Sequence, residues 1–253
     1  MPAALAQIYR HPVKGLTPEP LVRAALRPGQ GLPHDRRFAL ALPATVFDPA
    51  APAWLPKTKF LMLMRDERLA LLRTRFDEAR GVLTIARDGT TVAEGDLATP
   101  AGRAAIEDFF AAFMAEEAQG RPRLLEAPGH MFSDNARKLV SIISLASIAA
   151  LGSAIGRAVD PRRFRANFYL SGGAAWREFD WVDRVFRIGA VRFKGVKRIP
   201  RCAATNVDPE TALRDLNIPL GLGHHFGHAD MGIYAEVLDE GAVALGDLLT
   251  PPD

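Results

Sequence analysis

Apolar and polar positions alternate in short bursts from Ala4 to about Ile85, with Pro and Gly set between them. The stretches 21–26, 37–42 and 68–72 are examples, and apolar runs of that length bounded by turn formers predict strands. Residues 43–56 carry four prolines and no periodic signal, which predicts a surface loop. Asp88-Gly89 stands between the apolar stretches 82–86 and 90–93, so residues 81–93 read as a hairpin with a tight two-residue turn. The period then changes. Thr99 offers a capping hydroxyl, Pro100 suits the first helical position, and Ile106, Phe109, Phe110, Phe113 and Met114 fall on one face of a helix as a core stripe. A second helix is predicted from about Ser144, with Leu145, Ile148, Leu151 and Ile155 on one side and Gly156 at its end. Beyond Asp160 short strands return at 168–170, 184–188, 191–196, 233–237 and 242–245. Turns at Gly189-Ala190 and Asp239-Glu240-Gly241 favour a compact antiparallel barrel over a parallel sheet.

Composition narrows the class. The 253 residues are 48% hydrophobic and 24% charged, enough for a packed core of one large or two modest domains and unlike a disordered chain. The polar stretch 116–128, with Gly120, Pro122 and Pro128, divides the chain into residues 1–125 and 126–253. The amino terminus lacks a basic region followed by a long apolar one, and no apolar stretch is long enough to span a bilayer. A cytoplasmic protein without membrane contact is therefore expected. The 32 Lys and Arg against 29 Asp and Glu leave a net charge of +3, too small to indicate nucleic-acid binding, and the basic segments lack an interleaved aromatic platform. Nucleic acid is not expected as a partner. Local clustering is more informative: cations crowd at 35–37, 161–165 and 194–201, a distribution suited to gripping a compact anion from several sides. No G-x-G-x-x-G joins a strand to a helix, and Walker and Gly-x-Ser-x-Gly patterns are missing, which disfavours a dinucleotide fold.

Cys202 is the only cysteine. A lone thiol has no intramolecular disulfide partner and cannot build an all-cysteine metal site, so it is a small buried hydrophobe, a single soft ligand, or a nucleophile. It ends the run Lys197-Arg198-Ile199-Pro200-Arg201-Cys202, and the turn former Asp208-Pro209 follows. Three histidines, His224, His225 and His228, lie within five residues. They are candidates for a base beside Cys202 in a thiol hydrolase, for a separate metal site, or for a loop that closes over a pocket.

Read in order, these pieces resemble the MOSC family, named for the carboxy-terminal domain of molybdenum-cofactor sulfurase, together with the β-barrel domain that precedes it in amidoxime-reducing proteins. The residues that carry the resemblance are Tyr9-Arg10-His11-Pro12-Val13-Lys14-Gly15-Leu16, Gly31-Leu32-Pro33-His34-Asp35-Arg36-Arg37-Phe38, Ile143-Ser144-Leu145-Ala146-Ser147, and Phe164-Arg165-Ala166-Asn167. Arg201-Cys202-x-x-Thr205-Asn206-Val207-Asp208-Pro209 is the most specific, and Gly241-x-Val243-x-x-Gly246-Asp247 closes the series. The match implies a mixed α+β, β-rich fold: an N-terminal β-barrel-like domain with helices, then a MOSC β-barrel.

The resemblance also implies a function. The cofactor would be the molybdenum cofactor, a molybdopterin whose metal takes one protein thiolate, and Cys202 matches that ligand. Cofactor-binding positions are Lys14, Arg36, Arg37, Ser144, Arg165, Asn167, Arg201 and Thr205, and Asp208 is the second catalytic candidate beside Cys202. The expected activity is reduction of small N-hydroxylated or related N-oxygenated substrates by oxygen-atom transfer. Electrons would come from a separate ferredoxin- or flavoprotein-type partner, since no plant-type iron–sulfur module is present. The alternative is a non-redox cofactor-binding or sulfur-carrier protein with a persulfide on Cys202. Three departures from the family pattern stand out: Gly15 where Ser is frequent, Pro200 before Arg-Cys where Ser is common, and Thr211-Ala212 where Thr-Gly is frequent.

Overall fold

The structure, a computed structural model, describes residues 3–252. It opens with β1 (Ala4–Arg10), β2 (Glu19–Leu21), β3 (Arg23–Leu26) and β4 (Ala39–Ala41). Next come the meander β5 (Arg73–Asp77), β6 (Val82–Arg87) and β7 (Thr90–Asp96), then α1 (Pro100–Phe113), α2 (Ala115–Ala118) and β8 (Arg123–Leu125). The second half holds β9 (Val140–Ser144), α3 (Leu145–Ile155), β10 (Phe168–Ser171), β11 (Val185–Ile188) and β12 (Val191–Pro200). It ends with α4 (Ile218–Phe226), β13 (Asp230–Val237), β14 (Gly241–Ala244) and β15 (Leu249–Thr250). The fold is mixed α+β and β-rich, as the resemblance implied.

An 8-stranded sheet, ordered β15-β11-β12-β13-β9-β10-β1-β2, forms the main body. It curls until its edges approach each other: Leu5 N–H donates to Asp247 O (2.8 Å), Gly246 N–H to Leu5 O (2.8 Å) and Leu249 N–H to Ala3 O (2.8 Å), while β3 pairs with β14. Side chains alternate along each strand, so Leu5, Ile8, Phe168, Phe186, Phe193, Ile233 and Val237 fill one core inside the curl. The sheet draws on both sides of residues 125/126, because β1 lies between β10 and β2. One pairing departs from the antiparallel expectation. β9 and β10 are parallel, with α3 in the crossover between them.

The second body is the β5-β6-β7 meander with α1 packed on it. Its hairpin turn is the expected one, with Asp88 and Gly89 both at positive φ (51° and 78°). Thr99 Oγ1 accepts from Gly102 N–H at 3.0 Å, and Ile106, Phe110 and Met114 are fully buried against Phe76, Leu83 and Ile85. Burying each of the two larger side chains there stabilises the fold by roughly 1.5–3 kcal/mol. Gly95 and Gly102 let the strand and the first helical turn touch backbone to backbone, since a Cβ on Gly95 would lie 2.2 Å from Gly102 O.

The second predicted helix also starts and stops as expected, with Ser144 Oγ accepting from Ala146 N–H (3.2 Å) and Gly156 left-handed at φ 68°. Two expectations are corrected. Of residues 68–72, the first four belong to a 3₁₀ turn, Glu67–Leu71, because Asp66 folds the chain back by accepting Met62 N–H at 2.8 Å; the strand begins only at Arg73. The triple-histidine segment is not a loop over a pocket. His224 and His225 lie in the last turn of α4, capped by Asn217, whose Oδ1 accepts from Leu220 N–H.

Candidate functional site

A cavity of about 520 Å³ opens between the 8-stranded sheet, through Ser141, Lys197, Ile199 and Tyr234, and the connecting segments that carry Lys14, Lys57 and Asp134, and Cys202 is in its wall. β12 delivers the thiol: the strand ends at Pro200, and a 3₁₀ turn over Ala203–Asn206 follows. Thr205 fixes that turn by donating to Cys202 O from both its N–H (3.0 Å) and its Oγ1 (2.9 Å). Cys202 is a free, half-buried thiol.

Around it the cavity is lined by Lys14, Arg36, Lys57, Arg163, Arg165, Lys197 and Arg201, with Asp134 as the only carboxylate among the described residues of the lining. Lys14 follows β1 and is buried; its N–H donates to Phe38 O at 2.8 Å, and its ammonium meets Phe132 O (3.1 Å) and the Asp134 carboxylate. Burial pushes the Lys14 pKa down, against the opposing pull of Asp134. The glycine beside it has φ +85°, and a Cβ there would stand 3.1 Å from Leu61 O. The absent Ser hydroxyl at position 15 thus accompanies a backbone that suits glycine.

Arg36 and Arg165 form the innermost pair. Both are non-glycine residues in the left-handed region, φ 49° and 53°, a placement that costs on the order of 1–3 kcal/mol each and is met where a side chain must be aimed. Asp35, fully buried, accepts His11 N–H at 2.7 Å and pairs with the Arg36 guanidinium, which in turn donates to Arg165 O at 2.8 Å. Arg36 holds the Asp35 carboxyl well below its usual range despite burial. Arg165 has no such partner. Its Nη2 is buried without a hydrogen bond, and burial together with neighbouring Arg36 lowers its pKa to about 9. His11, wholly buried between the same two arginines with its Nδ1 3.4 Å from Asp35, is lowered to about 3, first by burial and then by those charges.

Several expected residues line the cavity in a supporting role. Asn167 Oδ1 accepts from Ser141 N–H and Oγ (3.0 and 2.9 Å), and its Nδ2 donates to Tyr9 O, so its amide ties β9 and β10 to β1. Arg201 spends Nε on Met231 O (2.9 Å) and Nη1 on Phe164 O (2.9 Å). It braces the wall immediately before the thiol.

Three expected positions lie outside the lining. Arg37 turns away from the cavity, because the left-handed Arg36 before it reverses the chain. Its guanidinium donates to Glu126 (2.7 Å) and stacks on Phe38 and Phe76. Ser144 caps α3 and is not in the lining. Asp208 is outside it as well: one oxygen organises the turn at Glu210 and Thr211, and the other accepts from Arg163 Nη2 at 2.8 Å. Asp208 and Asp215 together fix Arg163, which does line the cavity. The histidine readings also fail. Among the described residues no group of His, Cys, Asp and Glu is arranged to hold a metal, and no histidine lines the cavity that holds Cys202. His228 instead packs against Trp176 and Phe179.

Sequence reasoning missed Lys57, Trp54, Asp134 and Tyr234, all in the lining. Lys57 and Trp54 come from the end of the proline-rich segment, and Tyr234 faces Lys197 across 5.9 Å. Burial raises the Tyr234 pKa, so its phenol keeps its proton at neutral pH. Among the described residues no helix is long and apolar enough to cross a membrane.

The chain is 32% identical over 120 residues to mitochondrial amidoxime reducing component 2 of Bos taurus, covering 43% of this chain and 35% of that protein. It is 37% identical over 81 residues to the Rattus norvegicus protein of the same name, covering 32% and 23%. The matched stretches thus span about a third or less of these relatives. The crystal structure of the YUAD protein from Bacillus subtilis aligns over 98% of this chain and 94% of its own at 13% identity, with a TM-score of 0.46. Residues 2–127 match the MOSC N-terminal beta barrel domain and residues 128–250 the MOSC domain, so nearly the whole chain is accounted for and it belongs to the MOSC family.

Proposed function

We propose that this chain binds the molybdenum cofactor through Cys202 and serves as an oxidoreductase that reduces N-hydroxylated or related N-oxygenated small molecules. Family membership and the amidoxime-reducing relatives support the reading. One observation carries it: the only cysteine of the chain lies in the wall of the same cavity as Lys14, Arg36, Arg163 and Arg165.

The residues present fit such a group. A phosphorylated tail asks for several cationic donors, and Arg165 Nη2 is buried with nothing to donate to. Molybdenum favours a soft ligand, and Cys202 is a free thiol. A volume of about 520 Å³ lies within the range of small-molecule and cofactor sites. Bound there, the cofactor supplies a two-electron centre able to take an oxygen atom from substrate.

The remaining work falls to the chain. Cys202 Sγ is the protein's ligand to the metal, and Thr205 holds its turn in place. Lys14, Arg36 and Arg165 grip the tail, with Asp35 orienting Arg36 and the Asp208–Asp215 pair orienting Arg163. The neutral Tyr234 phenol is a donor that remains protonated at the wall. Overall the substrate N–O bond breaks, two electrons and two protons are taken up, and the oxygen leaves as water. The electrons come from a separate ferredoxin- or flavoprotein-type carrier.

The test is turnover of a hydroxylamine or amidoxime with a chemical reductant. Wild type is expected to be active and Cys202→Ser inactive. Cyanide-labile sulfur on Cys202 without turnover would instead establish the sulfur carrier.

A further inference from the structure

Among the described residues seven cationic side chains and one carboxylate line the cavity, and that carboxylate is placed on the cation an anion would need. Asp134 pairs with the Lys14 ammonium, which also donates to Phe132 O at 3.1 Å. The segment bearing Asp134 is fastened at its inner end by Phe132 N–H to Arg36 O (2.8 Å). At its outer end Trp54 Nε1 donates to Ser133 O (3.2 Å). The two partners differ in access to water: the Lys14 side chain is 9% exposed, whereas that of Asp134 is 49% exposed. A half-exposed carboxylate can turn into solvent at little cost, while the buried ammonium has nowhere else to go.

We infer that Asp134 is a built-in competitor for Lys14, setting the charge a ligand must carry to enter: a dianion displaces it, and the segment around Ser133 and its Trp54 contact shift as it leaves. The inference rests on the anion-binding reading above for its ligand class, a phosphate monoester. The surplus of cations favours the exchange, since a dianion brings one more negative charge to that corner than the carboxylate it replaces. Trp54, 44% exposed at the mouth, is the natural reporter because its indole N–H is bonded to the moving segment.

Inorganic phosphate titrated by calorimetry at pH 7 into the full chain purified from a host that cannot make the molybdenum cofactor tests this with the site free and without turnover. Asp134→Asn is expected to bind phosphate about tenfold more tightly than wild type, the scale of one charge-assisted hydrogen bond that no longer has to be broken. Lys14→Ala removes the competition, so Lys14→Ala/Asp134→Asn should bind no better than Lys14→Ala alone. In wild type, phosphate should change the intrinsic fluorescence, and Trp54→Phe should abolish that change. Equal or weaker binding by Asp134→Asn overturns the inference, as does absence of binding to both proteins. Molybdenum content is read separately on chain made in a cofactor-competent host, so failure here stays distinct from failure of the proposed function.

Discussion

Glu178 and Arg165 are both charged side chains withdrawn from water, and the protein treats them in opposite ways. Glu178 sits at the foot of α3, fully buried, where its carboxylate accepts Ser144 N–H (3.2 Å) and Ser147 Oγ (2.8 Å) beside the positive end of the helix. Ser147 Oγ in turn accepts Trp176 N–H at 2.8 Å. That network is closed: burial and the nearby Asp180 charge raise the Glu178 pKa, but the Ser147 hydroxyl and backbone N–H donors are already in place. Arg165 has the reverse arrangement. It is aimed by a left-handed backbone, crowded by Arg36, and left with an unpartnered Nη2 in a cavity wall. A closed network serves the fold, whereas an open one awaits a ligand of opposite charge.

The sharpest break of this comparison is Arg165→Met. Removing a charge-assisted donor should weaken retention of an anionic cofactor by roughly tenfold to a hundredfold. The unliganded chain should be no less stable, and about 1 kcal/mol more stable if the buried charge is uncompensated, since apolar replacements of such charges are often stabilising. Chemical denaturation together with molybdenum analysis checks both halves; a loss of stability with retention unchanged would place Arg165 among structural residues.

Glu178→Ala should do the opposite. It strands Ser147 and Ser144 N–H, so stability should fall by about 2–3 kcal/mol while molybdenum per folded chain stays level. A fall in cofactor content without loss of stability would erase the distinction between the two sites.

A smaller effect follows from His11. Its folded pKa of about 3 lies below the ordinary value of 6.5, so between those values the unfolded chain binds more protons. The stability held above pH 6.5 is therefore lost as pH falls toward 3, by at most about 1.4 kcal/mol per pH unit for this group. His34 and His130 are also lowered by burial and act in the same direction. His11→Phe should flatten the slope of unfolding free energy between pH 6.5 and 4.5; an unchanged slope would mean that His11 is not buried in neutral form.

Local signals survived into the structure where the backbone itself reads them. Thr99 and Ser144 cap helices, Asp88-Gly89 turns a hairpin, and Gly156 ends α3. The thiol and the inner cations were legible for the same reason: Cys202, Lys14, Arg36 and Arg165 stand in short, distinctive segments. What the sequence concealed depends on direction and on distant contacts. Arg36 and Arg37 are adjacent, and only the left-handed turn at Arg36 decides which one enters the cavity. Asp134 lies 120 residues from Lys14, with no pattern linking them. α4 was hidden because Pro219, Gly221 and Gly223 read as breakers, although Asn217 with Pro219 is a sound helix start.

Metal content per chain tests the central claim most directly. Freshly purified wild type and Cys202→Ser, both checked for folding by circular dichroism, are analysed for molybdenum and for its coordination by X-ray absorption. Wild type should carry the metal with one more sulfur neighbour than the variant, which loses either the metal or that sulfur. Equal molybdenum with identical sulfur coordination in both proteins would contradict it.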